Sequence, residues 1–552
     1  MEHNSVPPIA ALFLVVFDQK VGYTVAWNRT LPGVSSDGVE YKSLPSGLHG
    51  VKSDLVYFVH GEGGQYAGVS AFARGVADAQ HRNASFVAVG ALALASREVL
   101  GRGWMHAAEL KRLVGTLVED TGDTRALELY WRKHGLEAGQ GEAPASAARG
   151  LLPDPQKRQP GFDSAPTGLR LDVEAAADQP ALHWPALLDT FGPLVFPLYR
   201  AALLRKRILL LGTPPVQSNC NIVYILSTLA RISQAAREVL PPDTRQFWLP
   251  THPLFSVGVP DIDTLLSHDG SKSGYLATTT DDILGEKPQL WDVFVELPPH
   301  GTGSRKRWPR LRMSEGGLLV KATQRDRRRY RSLRADLQRW RHLRGPHRDD
   351  EDDEGVQGGD ETPLLARRTS VSIKDLADAQ EGVSNSESEV VEPVSWTAMA
   401  YDSFIWWASA GEDAEEWERE ERDIDWQLLK DASNLQDFMS VPPTHSGTPK
   451  GDDGRERFEA QEMAALVVDY FQLLTTRVLQ VLADVVANAD DETEQGIEEE
   501  AIVVHAEEVK KLGLDTSSEG DRAFVKEMMR VWFGKEAAVD EGGMRLCGVR
   551  VC

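Results

Sequence analysis

The chain has 552 residues, 41% of them hydrophobic and 26% charged, with a formal net charge of −23 at pH 7. That length holds roughly two to four domains with real cores, and the negative balance argues against nucleic acid as the main partner. Three cysteines (Cys220, Cys547 and Cys552) are too few for a disulfide framework and point to a reducing compartment.

The first apolar run, Ile9 to Phe17, has an acidic flank and no clear small-residue cleavage site, so it does not read as a signal peptide. No stretch approaches about 18 uninterrupted apolar residues, so no membrane span is expected. The sequons at Asn28 and Asn83 read as chance in a cytoplasmic chain that visits endomembranes peripherally through partners.

IAALFLVVF (9–17) is short, β-branched and aromatic, and predicts a buried strand; GYTVAWN follows after three residues as its hairpin partner. DLVYFVHG (54–61) and YAGVSAFAR (66–74) form a second strand pair around Glu62-Gly63-Gly64, and SFVAVGALALA (85–95) is a fifth strand. WMHAAELKRLVGTLVED (104–120) has helical period. Residues 1–138 are therefore read as a small α/β module, and the Pro- and Gly-rich stretch 139–180 as a linker.

A second α/β module is expected over 181–300. Leu187, Phe191, Leu194, Leu198 and Ala202 lie on one face of an amphipathic helix that ends at Arg205-Lys206-Arg207. Ile208 to Leu211 is a strand, a Gly-Thr-Pro-Pro turn follows, and a helix runs from about 216 to 233. LFSVGV (254–259), GYLATTT (274–280) and LWDVFVEL (290–297) supply further strands. Strand, loop and helix at 207–233 have the layout of a nucleotide-phosphate cradle. The loop lacks G-x-x-x-x-G-K-[ST], and Pro214 and Pro215 remove two N–H donors.

The remainder reads as helical and interrupted. Residues 301–344 are expected to be a basic helix, with Tyr330, Leu333, Leu337 and Trp340 buried against a C-terminal helical module and Arg325, Arg328 and Arg331 mostly solvated. The segment 305–348 carries 16 Lys or Arg against three acids, while 345–392 is acidic and Gly-rich, which predicts a disordered insert. The basic segment has three readings: a solvated helix face, a dock for an acidic protein or anionic lipid, or a nuclear or nucleic-acid patch, the last weakened by sparse aromatics. A helical segment over 393–437, a linker over 438–456 and a helical part over 457–552 complete the organisation. Trp396, Ala400, Phe404 and Trp407 suggest one helix of that segment, and Trp417, Ile424 and Leu428 another.

Catalytic chemistry is not legible. His60-Gly61-Glu62-Gly63-Gly64 lies between two strands and lacks a Lys, so it reads as a hairpin turn. The histidines and cysteines lack zinc spacing, Cys220 reads as a packed core thiol, and no acid/base pair stands out. No catalytic, metal or cofactor residues are assigned. Arg367-Arg368-Thr369-Ser370 suits a basophilic kinase at Ser370. CGVRVC at the end is no prenylation box; acylation of Cys547 or Cys552 and a terminal strand with packed cysteines both remain open.

SGLHGVKSDLVYFVH (46–60), YAGVSAFAR (66–74), FGPLVFPLYRAALLRKRILLLGTPPVQSNCNIVYILSTLA (191–230), LFSVGVPDIDTL (254–265) and GYLATTTDDILGEKPQLWDVFVELP (274–298) together resemble the DENN superfamily, and most of all its LCHN-type branch. KATQRDRRRYRSL (321–333), SFIWWASAGE (403–412) and GLDTSSEGDRAFV (513–525) fit the same branch. The resemblance implies an N-terminal longin-like α/β module, a central α/β module and an α-helical C-terminal module. It also implies a guanine nucleotide exchange factor for a Rab-type small GTPase in membrane trafficking, with a scaffold, effector or GTPase-activating subunit as the alternative. The strand–loop–helix at 207–233 would then be scaffold, because the nucleotide belongs to the partner. Contact with the GTPase is expected at polar turns after apolar runs: Asp261, Asp263, Asp281 and Asp282. Helix capping and chain turning are the competing roles for each of these acids.

Overall fold

A computed structural model describes residues 6–18, 20–75, 86–94, 102–136, 178–242, 244, 251–268, 274–299, 307–344, 387, 389–393, 412–439, 452–494, 501–540, 545–546 and 549–550. The chain forms two compact units: 1–191, 195–320 and 428–552 in one, and 192–194 with 321–427 in the other. Ser370, Cys547, Cys552, the helix expected around Trp396 to Trp407 and most of the acidic segment 345–392 lie outside the described residues.

The first unit is built on one eleven-stranded sheet. Its N-terminal half is antiparallel: β1 (Ile9–Asp18), β2 (Gly22–Thr30), β3 (Ser53–His60), β4 (Tyr66–Arg74) and β5 (Phe86–Leu94), in the order β3-β4-β5-β1-β2. These strands take β-branched and aromatic residues on a pleated surface, and β1, β3, β4 and β5 are buried along most of their length. Helices α1 (Val39–Ser43), α2 (Ala107–Leu117) and α3 (Arg125–His134) belong to the same half. Leu110, Leu113, Val114 and Leu117 recur three or four apart on α2 and close its core.

Helices α4 (Trp184–Phe191) and α5 (Val195–Leu203) lead into β6 (Ile208–Leu211), helix α6 (Val216–Leu229) and the short α7 (Gln234–Glu238). The single helix expected from Leu187 to Ala202 is broken, because Gly192 adopts a φ of 54° that a β-carbon would oppose. Strands β8 (Tyr275–Thr279) and β9 (Val293–Glu296) pair in parallel with β6, and β7 (His252–Ser256) in parallel with β8, in the order β9-β6-β8-β7. Short helices α8 (Ile262–Leu266) and α9 (Asp282–Gly285) follow β7 and β8. The two halves of the sheet meet at one antiparallel pairing, Phe58 with Phe255, beside a register shift in which Phe255 has a φ of 57°. Helix α6 is buried almost throughout and lies across β3, β7 and β8, spanning that seam.

The basic stretch does not begin as a helix. Arg310-Leu311-Arg312-Met313 alternates with period two and forms β10 (Arg310–Met313), which pairs with β9 and with β11 (Leu319–Val320). Helix α10 (Gln324–Arg344) starts only after this hairpin.

In the second unit, α10 packs on 192–194, and Tyr330, Leu333 and Leu337 are buried while Trp340 is half-buried. The expectation that Arg325 is solvated is corrected. Arg325 and Arg329 are buried, and both bind Asp425 on α11 (Glu412–Met439), at 2.7 and 3.0 Å. A carboxylate placed between two guanidinium groups compensates their burial, which spacing on α10 alone could not reveal. Arg328 stays exposed and pairs with Glu421 at 2.9 Å. The end of the acidic segment is part of this unit: Val391 pairs with Ala322, and buried Glu387 binds Arg331 at 2.8 Å and Arg327 at 3.3 Å.

The first unit is completed by α12 (Asp452–Glu494), β12 (Ile502–Val504), α13 (Ala506–Lys511), α14 (Glu519–Met528) and β13 (Ala537–Val539). Within α12, Glu459–Asp490 is long and apolar enough by composition to cross a membrane, with a mean hydropathy of 1.3. Its apolar residues are committed inside the fold. Phe471 lies 5.1 Å from the Tyr199 ring and 5.8 Å from that of Phe196, and the Tyr199 and Thr475 hydroxyls bond at 2.5 Å.

Candidate functional site

A pocket of about 210 Å³ opens where β2 and α1 approach the carboxyl-terminal ends of β7 and β8. That is below the roughly 300–1,000 Å³ of a typical small-molecule or cofactor site and suits a single side chain. Tyr23 on β2, Tyr41 and Lys42 on α1, and Leu44 and Pro45 form one wall; Ser256 to Asp261 and Asp281 form the other.

The polar floor is largely satisfied by the fold itself. The Lys42 ammonium donates to the Val59 carbonyl at 2.8 Å and pairs with Asp261 at 2.8 Å. Asp261 also accepts from the Gly258 N–H at 3.0 Å, while the Asp261 N–H donates to the Gly258 carbonyl at 2.9 Å, which closes the turn after β7. Asp261 is buried, and its carboxylate serves to hold α1 and this turn together.

Asp281 sits at the cap position of α9. Its Oδ2 accepts from the Val259 N–H at 3.2 Å, and its own N–H donates to the Thr279 hydroxyl at 3.1 Å. Its Oδ1 has no hydrogen-bond partner among the described residues, and Asp281 belongs to the lining of the pocket. Asp263 and Asp282 are exposed in the first turns of α8 and α9. The structure thus brings Asp261 and Asp281 into one pocket and leaves Asp263 and Asp282 outside its lining.

Two of the lining residues are exposed hydrophobics, Tyr41 at 56% and Val259 at 49%, and Ile283, two residues after Asp281 in the chain, is 51% exposed. Sequence reasoning missed these residues and Lys42. GVEYKS is too short to show a period, and the apolar signal of Val259 and Ile283 merges with the strands before them.

At the helix start of the strand–loop–helix at 208–229 the backbone N–H groups are taken by a carboxylate of the same chain. Asp54 on β3 accepts from the Val216 N–H at 2.5 Å and the Gln217 N–H at 3.1 Å. Cys220, one turn further on, donates to the Tyr57 carbonyl at 3.7 Å, and burial pushes its thiol up to about 12. His60 ends β3, paired with Tyr66, and Gly61-Glu62-Gly63-Gly64 lies in the connection to β4. Among the described residues no group of three His, Cys, Asp or Glu side chains is placed to hold a metal ion.

Residues 12–307 match the family model of DENN domain-containing protein 11, and residues 391–552 match a domain of unknown function (DUF4484). Over 309 residues the chain is 33% identical to DENN domain-containing protein 11 of Xenopus laevis, covering 55% of this chain and 64% of that relative. Over 330 residues it is 31% identical to the Danio rerio protein of the same name, covering 59% of each. Uncharacterized protein ANR2 of Saccharomyces cerevisiae is 24% identical over 580 residues, covering 99% of this chain and 95% of its own length. The chain thus spans less than two thirds of the length of the two vertebrate relatives.

Proposed function

Because the chain belongs to the DENN domain-containing protein 11 family, we propose that it is a guanine nucleotide exchange factor for a Rab-type small GTPase and works through the groove around Tyr41, Val259 and Ile283. The observation that carries this reading is the span of the family match. Residues 12–307 contain every side chain that lines the pocket.

The mechanism is linkage. A GTPase that holds GDP at nanomolar to picomolar affinity is stabilised by roughly 12–16 kcal/mol. A partner that binds the nucleotide-free form more tightly weakens GDP by the same factor. The work is done by a surface of order 1,600 Å² that engages and reshapes the GTPase switch loops. Exposed aromatic and aliphatic side chains around a polar floor suit such a surface, since they can be desolvated at little cost. The floor is held by Lys42, which ties α1 to the turn after β7.

A panel of Rab GTPases loaded with fluorescent GDP tests the proposal. The full chain at micromolar concentration accelerates release from at least one of them, and the double change Tyr41→Ala with Ile283→Asp slows that release about tenfold or more. Release at the spontaneous rate throughout, with recovery of a GTP-bound Rab on the chain, makes it an effector or scaffold instead.

A further inference from the structure

The pocket beside Asp281 has more carboxylate than its own cation can use. Its lining holds one ammonium, Lys42, and two carboxylates, Asp261 and Asp281. Lys42 is engaged by Asp261 and the Val59 carbonyl, and Asp261 also holds the Gly258 N–H. Asp281 commits only Oδ2, leaving Oδ1 as an acceptor on a half-buried anion. Asp263 and Asp282, both exposed on the short helices after β7 and β8, add negative charge nearby. The walls are Tyr23, Tyr41, Leu44, Pro45, Val259 and Pro260, an apolar lining with two aromatic rings that suits the methylene stem of a cationic side chain.

We infer that this pocket takes the side chain of a lysine presented by the protein partner, with the ammonium on Asp281 Oδ1 and the stem against Tyr41 and Val259; that the partner is a GTPase rests on the exchange-factor reading. Lysine fits better than arginine for a geometric reason. A guanidinium binds a carboxylate best as a fork on both oxygens, and Oδ2 already serves the Val259 N–H. A single ammonium needs only Oδ1. A pocket of about 210 Å³ also limits the guest to one side chain rather than a nucleotide or cofactor.

Two measurements test this, one without any GTPase. The full chain is labelled with 3-fluorotyrosine, and the Tyr23 and Tyr41 fluorine resonances are assigned by Tyr23→Phe and Tyr41→Phe. Titration with Nα-acetyl-lysine methylamide should shift both resonances, the arginine analogue should shift them less, and the norleucine analogue should leave them in place. Asp281→Asn, whose amide oxygen still accepts from Val259, should abolish the lysine response, while Glu286→Gln on the exposed surface should retain it. Equal responses to lysine and norleucine, no response to lysine, or a response that survives Asp281→Asn overturns the inference. In the second measurement, Asp281→Asn weakens binding of the responsive nucleotide-free GTPase about tenfold, as loss of a charge-assisted hydrogen bond requires. If Asp281→Asn releases GDP as fast as the wild type, the lysine anchor is wrong and the exchange factor stands. If no GTPase responds while the fluorine shifts depend on Asp281, the exchange reading falls and the anchor stands for another protein partner.

Discussion

The carboxylate of Asp54 caps a helix that begins 162 residues later in the chain, accepting from the backbone N–H of Val216 at 2.5 Å. It joins the last antiparallel strand of the N-terminal half to the helix that spans both halves. Asp54→Ala leaves the buried N–H of Val216 and the half-buried N–H of Gln217 without their acceptor and is expected to cost about 2 kcal/mol, measured as a shift in urea midpoint at unchanged slope. Asp54→Asn keeps one acceptor and should cost less. An unchanged midpoint for Asp54→Ala would place the helix start under other control.

Asp425 gives a second expectation, with a pH dependence. Burial pushes its carboxyl up, but Arg329 and Arg325 together outweigh burial and hold it below the usual aspartate value. A depressed folded-state pKa contributes stability above the unfolded value of about 3.9 that is lost as pH falls through the folded value. Amide exchange in α10 and α11 should therefore accelerate below about pH 4, and Asp425→Asn should flatten that dependence. Removing the carboxylate with Asp425→Ala takes from buried Arg325 and Arg329 the anion they share, leaves Arg325 with Glu421 at 3.3 Å, and is expected to cost about 3 kcal/mol.

Leu337 is buried on α10, and Leu337→Ala should cost about 2–5 kcal/mol in the same denaturation experiment. An unshifted transition would mean that the stripe Tyr330, Leu333 and Leu337 is not core.

Cys220 is fully buried, and its thiol is held at about 12 by burial. At neutral pH, iodoacetamide should leave the Cys220 peptide unmodified in the native chain and label it fully in denaturant, as peptide mass spectrometry reads directly. Rapid native labelling would contradict the packing of α6.

What the sequence could say follows from the range of the interactions involved. Strands β1 to β5 were legible because β-branched and aromatic runs punctuated by glycine carry their own signal. The α/β character of 208–296 was legible for the same reason. Lys42 with Asp261 and Asp54 with Val216 were not, since each pair lies more than 160 residues apart in sequence and nothing local announces it. Arg325 reads as a surface cation until Asp425, 100 residues on, is known to face it. The candidate site was half legible. Asp281 could be picked out as a polar residue after an apolar run, but the aromatic wall from β2 and α1 appears only once the sheet has formed.

The packing around α12 bears on where this protein can be cut. Trp184, Phe196 and Tyr199 lie within residues 12–307, yet the ring that covers them is Phe471, and Arg200 and Lys206 pair with Asp521 and Glu527. A fragment ending at residue 307 would carry the whole groove and still expose a continuous aromatic surface to water. The match to the DENN domain-containing protein 11 family is therefore shorter than the body it packs into. During synthesis, at about 5–20 residues per second, that surface stays uncovered for tens of seconds before α12 emerges, which makes it a natural resting place for chaperones.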